Sequence, residues 1–180
     1  VLKGDFGVSV SHFPAPVSDV IGEALLWTVF LAGMAVVISF TLGTLIGIIA
    51  AYRKGGWVDR IAPPCLIFLG AFPYFWLAML ALFLFGFTLE WFPVRHAYSD
   101  ALEPAISLAF IGSVLSHAAL PASTIVVATM GGWTLGMRNT MIAVMGEDYT
   151  RLAQAKGLPN RTIMLRYAAR NALLPNVTGF

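Results

Sequence analysis

The chain has 180 residues, of which 58% are hydrophobic and 11% charged, with a formal net charge of +2 and a mean hydropathy of +0.80. Soluble domains carry about 25% charged residues, so this composition excludes an ordinary cytosolic domain and reads as an integral membrane protein. The charge balance offers no basic face for a nucleic-acid partner, and the single cysteine, Cys65, can form no internal disulfide and is expected to pack in an apolar run.

The first stretch holds Lys3 against Asp5, Asp19 and Glu23 and has no basic-then-apolar leader. Residues 1–23 are expected on the extracytoplasmic side, which makes the chain read as an excerpt whose preceding span lies upstream. No charge occurs between Glu23 and Arg53, between Arg60 and Glu90, or between Glu103 and Arg138. Each gap exceeds the ~20 apolar residues that carry a helix through a hydrocarbon layer of roughly 30 Å. The expected spans are residues 24–52, 63–89 and 120–140, and a further one starts about 168–180, where Pro175 is expected to kink it. Pro121 suits a first helical turn, and this assigns Pro104 to His117 to a shorter apolar segment on the outer side.

Lys and Arg mark cytoplasmic connections. Arg53, Lys54 and Arg60 lie in the first, and Arg138, Arg151, Lys156, Arg161, Arg166 and Arg170 in the second, whereas 90–103 is mainly acidic. Trp27, Trp57, Trp91 and Phe92 stand near the span ends, as an aromatic belt requires.

Within the first span, Ala35, Ser39, Gly43, Gly47 and Ala51 repeat at every fourth position. Such a stripe lets another helix approach closely, which matters in lipid because dispersion packing replaces the absent hydrophobic drive. In the second, Pro73 of "GAFPYFWLA" removes a backbone donor and must bend or break the helix. Two readings fit: Phe72, Tyr74 and Trp76 approach a pathway, or the kink only shapes the bundle. Gly131, Gly132 and Gly136 surround Trp133 in a similar stretch of the third. No Asp, Glu, Lys or Arg sits at the expected membrane depth, which argues against an ion-coupled carrier.

His12, His96 and His117 are scattered, so no metal site is expected. Neither a phosphate-binding G-x-x-x-x-G-K-[ST] loop nor a G-x-S-x-G nucleophile elbow occurs, and Ser39, Ser107 and Ser113 have no catalytic neighbour at helical spacing. The chain is expected to have no catalytic residues and no nucleotide site of its own.

The loop 145–167 is different. Glu147 and Asp148 favour a helix start, and Gly157 suits a left-handed stop, which predicts a helix of about three turns. Pro159 blocks continuation, and Asn160 is expected to cap a second helix from Arg161 toward Leu174. A simple connection between spans needs only about 2–8 residues. Two readings fit the longer, basic elbow: an interfacial helix held by anionic lipid, or a docking surface for a cytoplasmic protein, toward which the shaped Gly-x-Pro turn points.

The stretch "EDYTRLAQAKGLPNRTIMLRYAARNALLP", Glu147 to Pro175, closely resembles the cytoplasmic loop of ABC importer permeases of the dipeptide, oligopeptide and nickel branch. The pattern D-Y-x-R-x-A-x-A-K-G-L is met by Asp148, Tyr149, Arg151, Ala153, Ala155, Lys156, Gly157 and Leu158. The pattern L-R-x-A-x-R-N-A-L-L-P is met by Leu165, Arg166, Ala168, Arg170, Asn171, Ala172, Leu173, Leu174 and Pro175. "GDFGVS" at Gly4 to Ser9, "YRKGGWVDR" at Tyr52 to Arg60 and "FPYFWLA" at Phe72 to Ala78 extend the likeness over nearly the whole chain. Arg151-Leu152-Ala153 stands where the broader importer motif has Glu-Ala-Ala, and Tyr167 replaces a histidine common in the branch.

The resemblance implies an all-α polytopic membrane bundle, a type I importer permease of MetI-like architecture, truncated at both ends. It implies a place in a bacterial inner membrane, with residues 24–180 forming the transmembrane domain. It also implies three kinds of neighbour besides lipid: a second permease subunit, two cytoplasmic ATPase subunits that bind ATP and Mg, and an extracytoplasmic solute-binding protein. On that reading, Asp148, Tyr149, Arg151, Ala153, Ala155, Lys156, Gly157 and Leu158 meet an ATPase subunit, with Arg151 and Lys156 available to its carboxylates. Phe72, Tyr74, Trp76 and Trp133 are candidates to line the pathway. The contrasting expectation is a non-transporting membrane scaffold or receptor subunit that recruits a cytoplasmic partner.

Overall fold

The computed structural model describes residues 6–179. Lys3, Gly4, Asp5 and Phe180, which entered the readings above, lie outside the described residues. The chain runs through α1 (Val17–Tyr52), α2 (Trp57–Gly70), α3 (Tyr74–Ala81) with a π-helical extension Leu82–Thr88, α4 (Leu108–Met145), α5 (Asp148–Ala155), α6 (Asn160–Thr162), a π-helical stretch Ile163–Ala169, and α7 (Arg170–Thr178). Two of these, α1 and α4, are long and apolar enough to cross a membrane, and the bent pair Trp57–Gly70 and Tyr74–Thr88 is a third candidate.

Helices α1 and α4 have 36 and 38 residues. At about 1.5 Å per residue they are roughly 54 and 57 Å long, so each tilts within a hydrocarbon layer of ~30 Å or projects beyond it. Their seam is made by absence of side chain. A Cβ on Gly43 would stand 2.8 Å from the Met130 carbonyl oxygen and 2.7 Å from Trp133 Cβ, and one on Gly47 would stand 2.6 Å from the Thr134 oxygen. Beside them, the Ser39 and Thr129 hydroxyls are 2.7 Å apart. A four-residue repeat on a helix of 3.6 residues per turn drifts by about 40° per step. Ala35, Ser39, Gly43 and Gly47 are buried, while Ala51 has rotated off and Ala50 is buried in its stead. Ala51 instead packs beside Met137, Met141, Met164, Ala168 and Ala172, where α4 and the last helical run meet α1.

The third apolar segment corrects the expected start at Pro121 and the separate outer segment 104–117. Ser107 Oγ accepts the Phe110 N–H at 3.2 Å, an N-cap that opens α4 at Leu108. Pro121 is therefore in the helix interior, where it supplies no N–H for the His117 carbonyl. Val114, Ala118, Leu120 and Ala122 are buried on either side of it, so packing holds the helix continuous across the proline.

Pro73 stands at the N-cap of α3, and the chain turns by 96° between the helices that flank it. Small residues seat α2 on α4 as well: a Cβ on Gly70 would lie 2.7 Å from the Ala128 oxygen, and one on Gly131 2.7 Å from the Leu66 oxygen. Cys65, expected to pack, is instead exposed on α2. Tyr98 lies between Trp27 and Phe110, with ring centroids 5.7 and 5.1 Å apart, and the Ser99 N–H donates to Ser113 Oγ at 2.9 Å. These contacts hold the 89–106 connection against α1 and α4.

Candidate functional site

The elbow after α4 is built from backbone rules and one buried hydroxyl. Glu147 takes an extended conformation as N-cap of α5, and Asp148 lies in the first turn, where its charge favours the helix dipole. The helix has 8 residues, shorter than the expected three turns. Its end is a Schellman motif: the Leu158 N–H donates to the Ala153 carbonyl at 3.2 Å and the Gly157 N–H to the Gln154 carbonyl at 2.9 Å. Gly157 has φ +74°, the left-handed conformation that such a stop requires and that side-chain-bearing residues resist.

Pro159, not Asn160, is the N-cap of the following run, and Asn160 is its first helical residue. Pro159 itself has an extended ψ of 138° and starts the helix without a side-chain acceptor. The run continues through Thr178 rather than starting anew near Ala168, passing through the π-helical stretch Ile163–Ala169. Pro175 lies within α7.

Thr150, absent from the sequence-derived site, fastens the elbow. Its side chain is fully buried, with Oγ1 2.7 Å from the Glu147 oxygen, 2.9 Å from Met145 and 3.2 Å from Val144. One hydroxyl proton is thereby shared between the Glu147 carbonyl, which opens α5, and the Val144 and Met145 carbonyls, which end α4. A second fastening comes from Asn171, which donates to the Tyr149 hydroxyl at 3.3 Å and to the Tyr167 carbonyl at 2.9 Å.

These ties sort the predicted residues into two faces. Ala153 points inward, 3% exposed. Arg151, Ala155, Lys156 and Gly157 are exposed and Leu158 is half-buried. Asp148 is exposed too, Tyr149 is 40% exposed, and Leu152, an apolar side chain with no polar tip, is 57% exposed. The outward face is thus a leucine and a tyrosine ring flanked by cations. Between the elbow and the end of α1 lies an open cavity of about 620 Å³, lined among others by Tyr52, Lys54, Met145, Gln154, Asn160 and Met164.

Two charged residues far apart in the sequence also form a pair. Asp59, on the first turn of α2, receives Nε of Arg138 on one carboxylate oxygen and Nη2 at 3.1 Å on the other. The Gly55 N–H adds a donor at 2.7 Å. The Asp59 side chain is 5% exposed and that of Arg138 22%. Arg138 was read only as a loop charge and Asp59 was not singled out, because 79 residues separate them and no local spacing joins them.

The aromatic candidates divide. Phe72 stacks on Trp76 with centroids 5.2 Å apart and meets Phe68 edge to face, and Tyr74 is exposed at the same break. Trp133 is elsewhere, edge to face with Phe40 of α1 and beside Gly43. A polar contact missed in the sequence joins α7 to α1: the Asn176 side-chain amide donates to Thr44 Oγ1 at 3.0 Å, buried and 132 residues distant. The Asn in "LLPN" was visible, but nothing local pointed to its partner.

Comparison with known proteins adds a family and its relatives. Residues 43–180 match the family described as the binding-protein-dependent transport system inner membrane component. A putative peptide transport system permease protein of Brucella suis is 37% identical over 163 residues, covering 91% of this chain and 50% of that protein. The oligopeptide transport system permease protein of Bacillus subtilis is 30% identical over 181 residues, covering 100% and 55%. The glutathione transport system permease protein of Salmonella choleraesuis is 32% identical over 178 residues, covering 99% and 53%. The chain spans about half the length of the curated relatives it matches.

Proposed function

Because the chain belongs to the family of inner membrane components of binding-protein-dependent transport systems, we propose that it is the part of a permease that couples an ATP-driven importer to its motor. The solute class is peptides or small peptide-like molecules, as the names of the relatives suggest. The observation that carries the reading is the outward face of α5. Exposed Tyr149 and Leu152, one turn apart and accompanied by Arg151 and Lys156, would be wasteful on a surface facing only water, and they stand on an elbow whose end is set by Gly157 and whose base is fastened by Thr150.

On this reading, α5 and the turn to Pro159 lie on the cytoplasmic side and seat in a groove of one of two ATPase subunits, which supply ATP and Mg. A second permease subunit completes the pathway, and an extracytoplasmic binding protein delivers the solute. Asp148, Tyr149, Arg151, Ala155, Lys156, Gly157 and Leu158 contribute to the contact, joined by Leu152. Ala153 supports it from beneath by letting α5 lie close to the helical run behind it. Phe72, Tyr74 and Trp76 sit where the helix axis breaks, and they are the residues of this segment best placed to line a pathway. A permease that moves as rigid helices under an ATPase grip needs such a fixed lever.

The test is Leu152→Asp in the full-length permease. It places a charge in the proposed contact without touching the fastenings. The expected result is normal membrane insertion, with ATPase subunits no longer co-purifying and uptake lost. Retained ATPase binding and uptake would sink the coupling reading; lost recruitment in a protein whose wild type transports no solute would favour a scaffold instead.

A further inference from the structure

We infer that the Asp59–Arg138 pair is the joint through which movement of the α5 elbow reaches the broken helix α2–α3, an inference that rests on the coupling role proposed above. Arg138 stands on α4 about two turns before its end, and Thr150 fastens α5 to the Val144 and Met145 carbonyls of that same end. Asp59 stands in the first turn of α2, the helix that leads to the 96° break and its aromatic stack. The Gly55 N–H bound to Asp59 brings in the turn that leaves α1. Three segments therefore converge on one carboxylate.

The chemistry of the contact suits a joint. Elsewhere α2 meets α4 by close approach of glycines to backbone, at Gly70 and Gly131, a contact that fixes separation but imposes little direction. A guanidinium fork on a carboxylate fixes distance and orientation together. Both side chains are largely withdrawn from solvent. A buried ion pair of this kind adds little stability over an apolar replacement, so its advantage here is geometric. With α4 held to α2 at this point, a push on α5 moves both as one body.

The experiment uses the assembled importer, with its full-length permease, ATPase subunits and binding protein, reconstituted in lipid. Spin labels on Cys65, exposed on α2, and on Gln154→Cys of α5 report the distance from elbow to broken helix by pulsed electron resonance, without nucleotide and after trapping with ATP and vanadate. In the otherwise wild-type complex the distance is expected to be the same in both states. In Asp59→Asn and in Arg138→Lys, which keeps the charge but loses the fork, the two states should diverge, with the distance spread widening about twofold on trapping. The exchange Asp59→Arg with Arg138→Asp should bring them back together.

A distance that shifts in the wild-type complex, or variants whose distances are equal in both states, would overturn the joint, the second case leaving only a static staple. Failure of the wild-type permease to assemble with ATPase subunits would instead remove the importer reading itself. Where Asp59→Asn does not insert, Arg138→Lys carries the decision.

Discussion

Gly47 and Gly157 both stand where a side chain is disfavoured, but for opposite physical reasons. At Gly47 the backbone conformation is ordinary helix and the space is taken: the Thr134 oxygen lies 2.6 Å from where a Cβ would stand. At Gly157 the surroundings are open, with nothing within 4 Å of such an atom, and the conformation is the constraint, with φ at +74°. The first glycine belongs to a seam whose disruption separates two long helices; the second belongs to an elbow whose disruption alters one turn. The seam therefore governs global stability, and the elbow governs local shape.

The largest effect expected from breaking this contrast is at the seam. Gly47→Val should cost about 3 kcal/mol or more, because the obstruction is backbone and cannot rotate away; thermal unfolding of the purified protein in detergent should show it as a lowered midpoint for the whole molecule. At the elbow, Gly157→Ala should cost about 1–2 kcal/mol of conformational strain. Hydrogen exchange should report it as lost protection over 148–158 with the α1 and α4 amides unchanged, and Gly157→Asn should be milder because asparagine tolerates the left-handed region.

Thr150→Val keeps the shape of the buried side chain and removes its proton. It should loosen α5 from the end of α4 by about 1 kcal/mol, seen as faster exchange of the α5 amides at an unchanged melting temperature. The smallest effect belongs to Ser39→Ala. It removes the contact to Thr129, and polar contacts between membrane helices average only about 0.6 kcal/mol. A loss at Ser39 equal to that at Gly47 would show that hydroxyls, and not close backbone approach, hold the seam.

Much of the elbow could be read in the sequence because its causes are local. Glu147, Asp148, Gly157 and Pro159 act through backbone angles and hydrogen bonds spanning at most a few residues, and they stand in the structure where those rules put them. The errors were local rules that packing overrode. Pro121 suited a helix start, but the Ser107 cap and the buried residues around the proline carried α4 through it. Asn160 suited a cap, but Pro159, already in the extended conformation, took that position. On α1 the four-residue repeat drifts around the helix, because 4 is not 3.6, so that Ala50 is the buried residue at its end and Ala51 packs at the edge, beside Met137 and Met141.

By itself the sequence determined the helical membrane character, the small-residue face of α1, the bend at Pro73 and the stop at Gly157, along with the family. Composition, periodicity and dihedral preference are properties of short stretches. Only the tertiary structure decided that Ala153 turns inward while Leu152 remains outside, that Thr150 holds the end of α4, and that Asp59 and Arg138 meet across 79 residues. A buried charge or hydroxyl takes its meaning from the partner that satisfies it, and that partner is chosen by how helices pack, not by what stands beside it in the chain.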